Sequence, residues 1–128
     1  MIKILIVDDE EQICRLLKKV FEKEGYGIIT AGTGGKALKI LKEEKSSPIN
    51  LVLLDLKLPG ISGFEVLEKI KKLYKVPVVI ITAYINPKNE KEVYKLGASD
   101  IVRKPFVLSW LKATIKHRLR MSKMRTKF

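Results

Sequence analysis

The pattern of apolar and polar positions divides the chain into alternating short and long segments. Five aliphatic runs lie near residues 3–7, 27–31, 50–54, 77–81 and 100–103, and longer stretches with apolar residues three or four positions apart separate them. Continuous aliphatic runs of this length are typical of strands buried on both faces of a parallel sheet, whereas the longer stretches have the period of a helix. Strands separated by single helices predict an α/β fold with right-handed crossovers and helices on both faces of the sheet.

The helical stretches also predict which side chains are buried. The first ends at Gly25, which can adopt the left-handed conformation that closes a helix. The fifth is expected to start near Pro105. The buried faces of the first four are expected to comprise Ile13, Leu17, Val20 and Phe21 with Glu24 at the edge; Ala37, Leu38 and Leu41; Phe64, Leu67, Ile70 and Leu73; and Val93 and Leu96.

One charged residue interrupts the third aliphatic run, LVLLDLKL, which begins at Leu51. An ionised carboxylate inside a strand buried on both faces is energetically costly unless it has a partner. Asp55 is therefore expected to lie at the end of the strand or to serve a function.

Residues with side chains or backbone amides that can bind an ion end four of the five predicted strands. They are Asp8 and Asp9 after the first, Asp55 in the third, Thr82 and Ala83 after the fourth, and Lys104 after the fifth. In a parallel sheet these ends share one edge, and ligands bind there. If the first and third strands are neighbours, about 4.8 Å apart, three carboxylates share a small volume and repel one another. Protons or a cation must relieve that repulsion.

The residue types at this edge suit a magnesium ion and a phosphoryl group. Carboxylate oxygens from two strands, with a backbone carbonyl and waters, are the ligands that Mg²⁺ prefers. The ammonium group of Lys104, the hydroxyl of Thr82 and the amide of Ala83 can bind an anion beside them. Phosphoryl transfer depends on positioning and charge neutralisation, so these parts are sufficient. Each residue alone also fits an ordinary role as a cap, a strand former or a solvated charge, but their shared edge favours the functional interpretation.

Four segments, IVDDE, LVLLDLKLPGISGFE, VVIITAY and GASDIVRKPF, resemble the sequential motifs of the bacterial response-regulator receiver domain, which is CheY-like. The resemblance covers nearly the whole chain. It implies a doubly wound, flavodoxin-like parallel sheet of five strands in the order 2-1-3-4-5. It also implies that Asp55 accepts a phosphoryl group from a histidine kinase or a histidine phosphotransfer protein. Mg²⁺ would be the cofactor, and Mn²⁺ could substitute for it.

The same resemblance implies a role for each residue at the edge. Asp9 and Asp55 would bind Mg²⁺ directly, Asp8 through water, and Lys57 through its backbone carbonyl. Thr82 would be the switching hydroxyl, with Ala83 beside it in the phosphate-binding segment, and Lys104 the ion-pair partner of the phosphate. The peptide bond between Lys104 and Pro105 would be cis. The chain would support only its own phosphorylation and dephosphorylation, and would not be an enzyme.

The sequence departs from the family pattern at three positions. Ile101 stands where most receivers carry a switching Tyr or Phe, which puts transmission by a rotating aromatic ring in doubt. Ser62 replaces a frequent aspartate but still suits a helix N-cap. Val107 replaces the usual aspartate after Lys-Pro-Phe and so removes an N-cap from the last helix. Within the family, the first strand and helix, LDLKLPG and TAY resemble most closely the single-domain regulator of the sporulation phosphorelay.

The side chains two places after Asp55 and Thr82 are expected to control how long a phosphoryl group survives. Lys57 and Tyr84 should flank the path by which water approaches the phosphorus in line. A protonated lysine cannot accept a proton from water, and a tyrosine ring fills the space. We therefore expect a long-lived phosphoryl group, although both residues also fit an ordinary role at the rim of the site.

The last helix is expected to bury one stripe and to expose another. The stripe facing the sheet is Leu108, Leu111, Ile115 and Leu119. The opposite stripe is Trp110, Ala113, His117 and Met121, which the core does not explain. A docking surface for a downstream protein, a homodimer interface and isolated exposed apolar residues all fit the second stripe.

Composition and charge limit the remaining possibilities. A chain of 128 residues, 46% of them hydrophobic, suits one domain, and we expect a receiver over residues 1–121 and a basic tail over 122–128. The net charge is +12, and we attribute the basic end to a solvated helix rather than to binding of a membrane or, for this chain alone, nucleic acid. The apolar start is too short for a signal peptide or a span, which predicts a cytoplasmic protein. The single cysteine, Cys14, is expected to be buried and inert.

Other classes of function fit less well. A flavodoxin-like carrier would need a loop rich in Gly, Ser and Thr after the first strand, where this chain has acids that would repel a phosphate. A phosphatase with Asp8 as nucleophile would need a further acidic motif where Thr82 and Ala83 stand. A nucleic-acid module would need stacking aromatics or a recognition motif near the basic end. The alternative we retain is the N-terminal receiver of a longer regulator with a DNA-binding or other output domain.

Overall fold

A computed structural model describes residues 1–44 and 47–127, with side chains described as far as Ser122. Strands and helices alternate throughout the chain. Their bounds are β1 Lys3–Val7, α1 Glu11–Lys23, β2 Gly27–Ala31, α2 Gly34–Glu43, β3 Leu51–Asp55, α3 Gly63–Leu73, β4 Val78–Thr82, α4 Pro87–Lys95, β5 Asp100–Arg103 and α5 Leu108–Lys127. All strand pairs are parallel and the order is β2-β1-β3-β4-β5, so the predicted doubly wound fold is confirmed.

Two hydrophobic clusters cover the two faces of the sheet. Alternate residues of each central strand face opposite sides, as Leu5 and Ile6 of β1 do. The first cluster joins the sheet to α2, α3 and α4, and the second joins it to α1 and α5. Since helices cover both faces, polar side chains of the central strands can reach solvent only at the strand ends.

Several local predictions are confirmed. Gly25 has a φ of +92° at the end of α1. Ser62 caps α3, because its hydroxyl accepts a hydrogen bond from the amide of Glu65 at 3.3 Å. Cys14 is buried in the second cluster, and its thiol donates to the backbone carbonyl of Asp8 at 3.3 Å.

Two local predictions are wrong. Leu73 was expected in the core but is 69% exposed, because the extended Tyr74 that follows it packs against the first cluster instead. The fifth helix begins at Leu108 rather than near Pro105, and the segment before it places Phe106 against the second cluster.

The last helix follows the predicted pattern. Leu111 and Ile115 are fully buried and Leu108 and Leu119 pack partly buried beside them, so the apolar stripe faces the sheet. The helix continues to Lys127. The side chains of residues 123–127, and Phe128, lie outside the described residues, and the division into a receiver and a tail stays a prediction. Among the described residues, no helix is both long and apolar enough to cross a membrane.

Candidate functional site

Three acidic side chains meet at the carboxyl edge of the sheet, as the sequence predicted. Strands β1 and β3 are neighbours in register, so Asp8, just after β1, lies beside Asp55, the last residue of β3. One carboxylate oxygen each from Asp8, Asp9 and Asp55 lies within 4.8 Å of the others. Asp8 and Asp55 are buried, and Asp9 is exposed. Solvent therefore reaches the cluster mainly at Asp9.

Lys104 joins two of these carboxylates. Its ammonium nitrogen lies 2.7 Å from Oδ2 of Asp8 and 2.9 Å from Oδ2 of Asp55. Glu10, which the sequence did not single out, is 3.6 Å from the same nitrogen. The lysine was expected to meet a phosphate, and in the structure it neutralises the carboxylates themselves.

Burial and hydrogen bonding have opposite effects on the pKa values of Asp8 and Lys104. Burial raises the pKa of Asp8, although the hydrogen bonds from Lys104 and from the amide of Glu10 lower it. Burial also acts to lower the pKa of Lys104, but the hydrogen bonds to Asp8 and Asp55 outweigh it and raise that pKa above its usual value. Lys104 therefore stays protonated at neutral pH.

The same local hydrogen bond orients a side chain at three strand ends. The amide two residues later donates to Oδ1 of Asp8 at 2.9 Å, to Oδ1 of Asp55 at 3.1 Å and to Oγ1 of Thr82 at 3.2 Å. Such turns hold a side-chain oxygen against its own backbone and so fix its direction. Both carboxylates are thus held at one oxygen by a backbone amide and at the other by Lys104.

A cleft of about 190 Å³ opens onto the acids. Asp9, Glu10, Asp55, Lys57, Ala83, Tyr84 and Lys104 line it. The ammonium nitrogen of Lys57 lies 4.6 Å from the ring centroid of Tyr84, close enough for a cation–π contact. The two residues predicted to flank the approach to Asp55 therefore meet at its rim, while their effect on a phosphoryl group stays a prediction.

Gly63 packs directly against the backbone of Asp55 and Leu56, and the sequence analysis did not identify it. A Cβ atom at this position would lie 2.3 Å from Cα of Leu56 and 2.5 Å from the backbone oxygen of Asp55. Its amide donates to the carbonyl of Leu56 at 2.9 Å, which joins the start of α3 to the end of β3. The segment PGISG contains two glycines, and its local pattern does not distinguish this close approach from an ordinary turn.

The remaining predicted residues do not line the cleft beside the acids. Ile101 packs partly buried against the first cluster, and the Lys104–Pro105 peptide bond is cis. The predicted stripe on α5 is exposed along its length and comprises Trp110, Ala113, His117 and Met121. Nothing in the described residues tests its role as an interface.

A larger cleft lies at the opposite edge of the sheet. Its volume is about 700 Å³, and it is lined in part by Pro77 and Ser99, which precede β4 and β5, and by Lys71 and Arg118. Asp8, Asp9 and Asp55 do not line this cleft. The volume of a cleft therefore does not identify the site.

Comparison with known proteins gives a consistent result. Residues 4–116 match the family model described as the response regulator receiver domain. A CheY-like receiver domain protein from Methanospirillum hungatei JF-1 is 33% identical, with a TM-score of 0.92 over 98% of both chains. The BeF3-activated receiver domain of RstA from Klebsiella pneumoniae is 27% identical, with a TM-score of 0.85 over 92% of this chain and 98% of its own. NtrX from Brucella abortus is 31% identical, with a TM-score of 0.88 over 98% of this chain but only 29% of NtrX. These similarities do not support a special closeness to sporulation regulators.

Proposed function

Because the chain belongs to the response regulator receiver domain family, we propose that Asp55 accepts a phosphoryl group from a histidine kinase or a histidine phosphotransfer protein. Members of this family are phosphoacceptors rather than enzymes with a separate substrate, and they bind Mg²⁺ at an acidic pocket. The observation that carries the assignment is the position of Asp55, buried at a strand end, held by Lys104 and open to the cleft.

The side chains around Asp55 supply what the transfer needs. A carboxylate oxygen of Asp55 forms a bond to phosphorus, and the bond between phosphorus and the donor atom breaks with its electron pair leaving on the donor. Lys104 can bind the negative charge brought to the site, as can the hydroxyl of Thr82 and the amide of Ala83. Mg²⁺, held by Asp9 and Asp55 with Asp8 and the carbonyl of Lys57, would neutralise charge between carboxylate and phosphoryl group.

Mass measurement after incubation with a small phosphodonor tests this assignment. Wild type should gain one phosphoryl group only when Mg²⁺ is present, and Asp55→Asn should gain none. The matched control is Asp100→Asn, which makes the same change at the start of β5 and should be phosphorylated normally. Equal phosphorylation of wild type and Asp55→Asn would refute the assignment.

We further propose that the protein acts in the cytoplasm, in a two-component system or a phosphorelay, and that the phosphoryl group on Asp55 is long lived. The contact between Lys57 and Tyr84 at the rim of the cleft supports the long lifetime. A relay role rests on this feature alone.

A second candidate is a receiver that belongs to a longer regulator. The observation favouring it is that 98% of this chain matches NtrX with a TM-score of 0.88 but spans only 29% of it. The length of the endogenous protein, measured by immunoblot or intact mass, separates the two candidates.

The exposed stripe of α5 is our proposed partner surface, for a downstream protein or a second copy. Trp110 is 68% exposed, which is unusual for so large an apolar side chain. Trp110→Glu should weaken self-association or partner binding, whereas Leu73→Glu, at a leucine that is 69% exposed on α3, should not. Unchanged association of Trp110→Glu would contradict the proposal.

A further inference from the structure

The ammonium group of Lys104 has one donor that the buried carboxylates do not use. Such a group carries three N–H donors. Two of them donate to Oδ2 of Asp8 at 2.7 Å and to Oδ2 of Asp55 at 2.9 Å. The next carboxylate is that of Glu10, whose Oε1 lies 3.6 Å from the same nitrogen, too far for a hydrogen bond. Glu10 therefore attracts Lys104 by charge alone, and the third donor can bond a closer acceptor.

The local structure of α1 does not explain the side chain of Glu10. Glu10 is the N-cap residue of this helix, a position that favours Ser, Thr, Asp or Asn, and its carboxylate forms no capping hydrogen bond. Within the described part of the chain, Lys104 is the only cation within 4 Å of that carboxylate. An acid near the start of a helix also stabilises the helix dipole, but Glu11 in the first turn does the same. The feature specific to Glu10 is its contact with Lys104.

Glu10 and Asp55 line the same cleft, and Lys104 contacts both of them. The side chain of Lys104 is 10% exposed, whereas that of Glu10 is 58% exposed. A phosphoryl group on Asp55 would bring negative charge into this cleft. Lys104 attracts that charge and can donate its third N–H to a phosphoryl oxygen, while the carboxylate of Glu10 repels the charge and attracts the same lysine.

We propose that Glu10 is a positioning residue that acts through Lys104: it competes with a phosphoryl group on Asp55 for this lysine, and so weakens phosphoryl binding and strengthens binding of a divalent cation beside the acids. The inference rests on the proposed function of Asp55. A fixed negative charge beside the cleft repels an anion and attracts a cation. Its removal should therefore change the two affinities in opposite directions.

The first test measures the apparent affinity for beryllofluoride, a phosphoryl mimic, at saturating Mg²⁺ through the amide signal of Ala83. Glu10→Gln should bind it about two- to fivefold more tightly than wild type, the range expected for one partly exposed ion pair. Glu11→Gln is the matched control, because it removes the same charge one residue later, where the acid pairs with Arg15 at 2.6 Å and does not line the cleft. This control should bind beryllofluoride as wild type does.

The second test measures the affinity for Mg²⁺ alone by calorimetry. Glu10→Gln should bind the ion about two- to threefold more weakly than wild type, whereas Glu10→Asp, which keeps the charge, should stay closer to wild type. A variant that only disturbed the structure of the site would bind both ligands more weakly. Tighter binding of beryllofluoride together with weaker binding of Mg²⁺ is therefore specific to the charge.

The outcomes separate this inference from the proposed function. If Glu10→Gln binds beryllofluoride no more tightly than wild type, or Mg²⁺ no more weakly, while Asp55→Asn binds no beryllofluoride, the role of Glu10 is overturned and the function of Asp55 stands. An equal gain in Glu11→Gln would also overturn the role of Glu10, because the effect would then come from net charge. Equal beryllofluoride binding by wild type and Asp55→Asn would overturn both proposals.

Discussion

The two edges of the sheet carry buried or half-buried charges in different arrangements. At the amino edge, two half-buried cations each pair with one carboxylate: Lys3 pairs with Glu44, and Arg118 pairs with Asp100. Hydrogen bonding to Asp100 raises the pKa of Arg118, so the guanidinium stays charged over the whole physiological range. Pairs of this kind hold neighbouring elements together, and within each pair the two charges balance.

The carboxyl edge has an excess of negative charge. The carboxylates of Asp8, Glu10 and Asp55 lie within 4 Å of the ammonium group of Lys104, and Asp9 lies beside Asp8 and Asp55. Lys57 is at the rim. This excess is opposite in sign to the net charge of the chain, which is +12. An unbalanced group of acids is costly for folding and is retained where a cation or another ligand completes it. The contrast separates structural charges from those of the candidate site.

The largest expected effect is on stability when each edge loses its cation. Lys104→Met should lower the free energy of unfolding by about 3 kcal/mol at neutral pH, because two buried carboxylates lose their partner. Arg118→Met should lower it by less than about 1 kcal/mol, since its ion pair is partly exposed. Urea unfolding without Mg²⁺ measures the free energy of unfolding of both variants. Equal decreases would contradict the distinction between the two edges.

Glycines at the two edges should differ for a steric reason. Gly63→Ala should cost roughly 2 kcal/mol, since the new Cβ would overlap backbone atoms of Asp55 and Leu56. The new Cβ of Gly27→Ala at the amino edge would overlap only the end of the Met1 side chain, at 2.8 Å, and Met1 is 96% exposed; the side chain of Lys3 would lie at an ordinary contact distance of 3.5 Å. The expected cost of Gly27→Ala is below about 0.5 kcal/mol. Thermal or urea unfolding measures the free energy of unfolding of both variants. If Gly27→Ala lowers it as much as Gly63→Ala does, the closeness of backbone atoms to Gly63 is not the cause of the loss.

Mg²⁺ should stabilise only the carboxyl edge. At about ten times its dissociation constant, a ligand that binds the folded state alone adds about 1.4 kcal/mol to the free energy of unfolding. We expect this gain in wild type and in Asp100→Asn, and its loss in Asp9→Asn. Unfolding curves with and without Mg²⁺ measure it. A gain that persists in Asp9→Asn would place the ion elsewhere.

The smallest expected effect is on the lifetime of the phosphoryl group. The double variant Lys57→Asn and Tyr84→Glu should lose the group roughly fivefold faster, because an amide or carboxylate near the cleft can orient the attacking water. Each single variant should show part of the increase. Release of phosphate from purified phosphorylated protein is the measurement, and an unchanged or slower rate would contradict a lifetime set by these residues.

Some predictions from the sequence depended on local pattern and others on the position of strand ends. Asp55 was identifiable because a carboxylate follows four aliphatic residues, and Thr82, Ala83 and Lys104 because each follows a strand. These features need only the period of the side chains and the rule that parallel strands end at one edge. The burial of Leu73 and the start of α5 were wrong, because each depends on which neighbour occupies the available space.

The sequence by itself determined the number and type of elements, the edge that carries the chemistry and the acids that occupy it. Burial patterns and strand ends are properties of short segments, so they can be read without knowing what lies across the sheet. Only the tertiary structure decided which partners those residues have. Lys104 is 96 positions from Asp8, and the contacts of Gly63 with Leu56 and of Arg103 with Ile85 depend on how the following helices return to the sheet. Such contacts join segments with no shared local pattern, and their geometry exists only once the chain has folded.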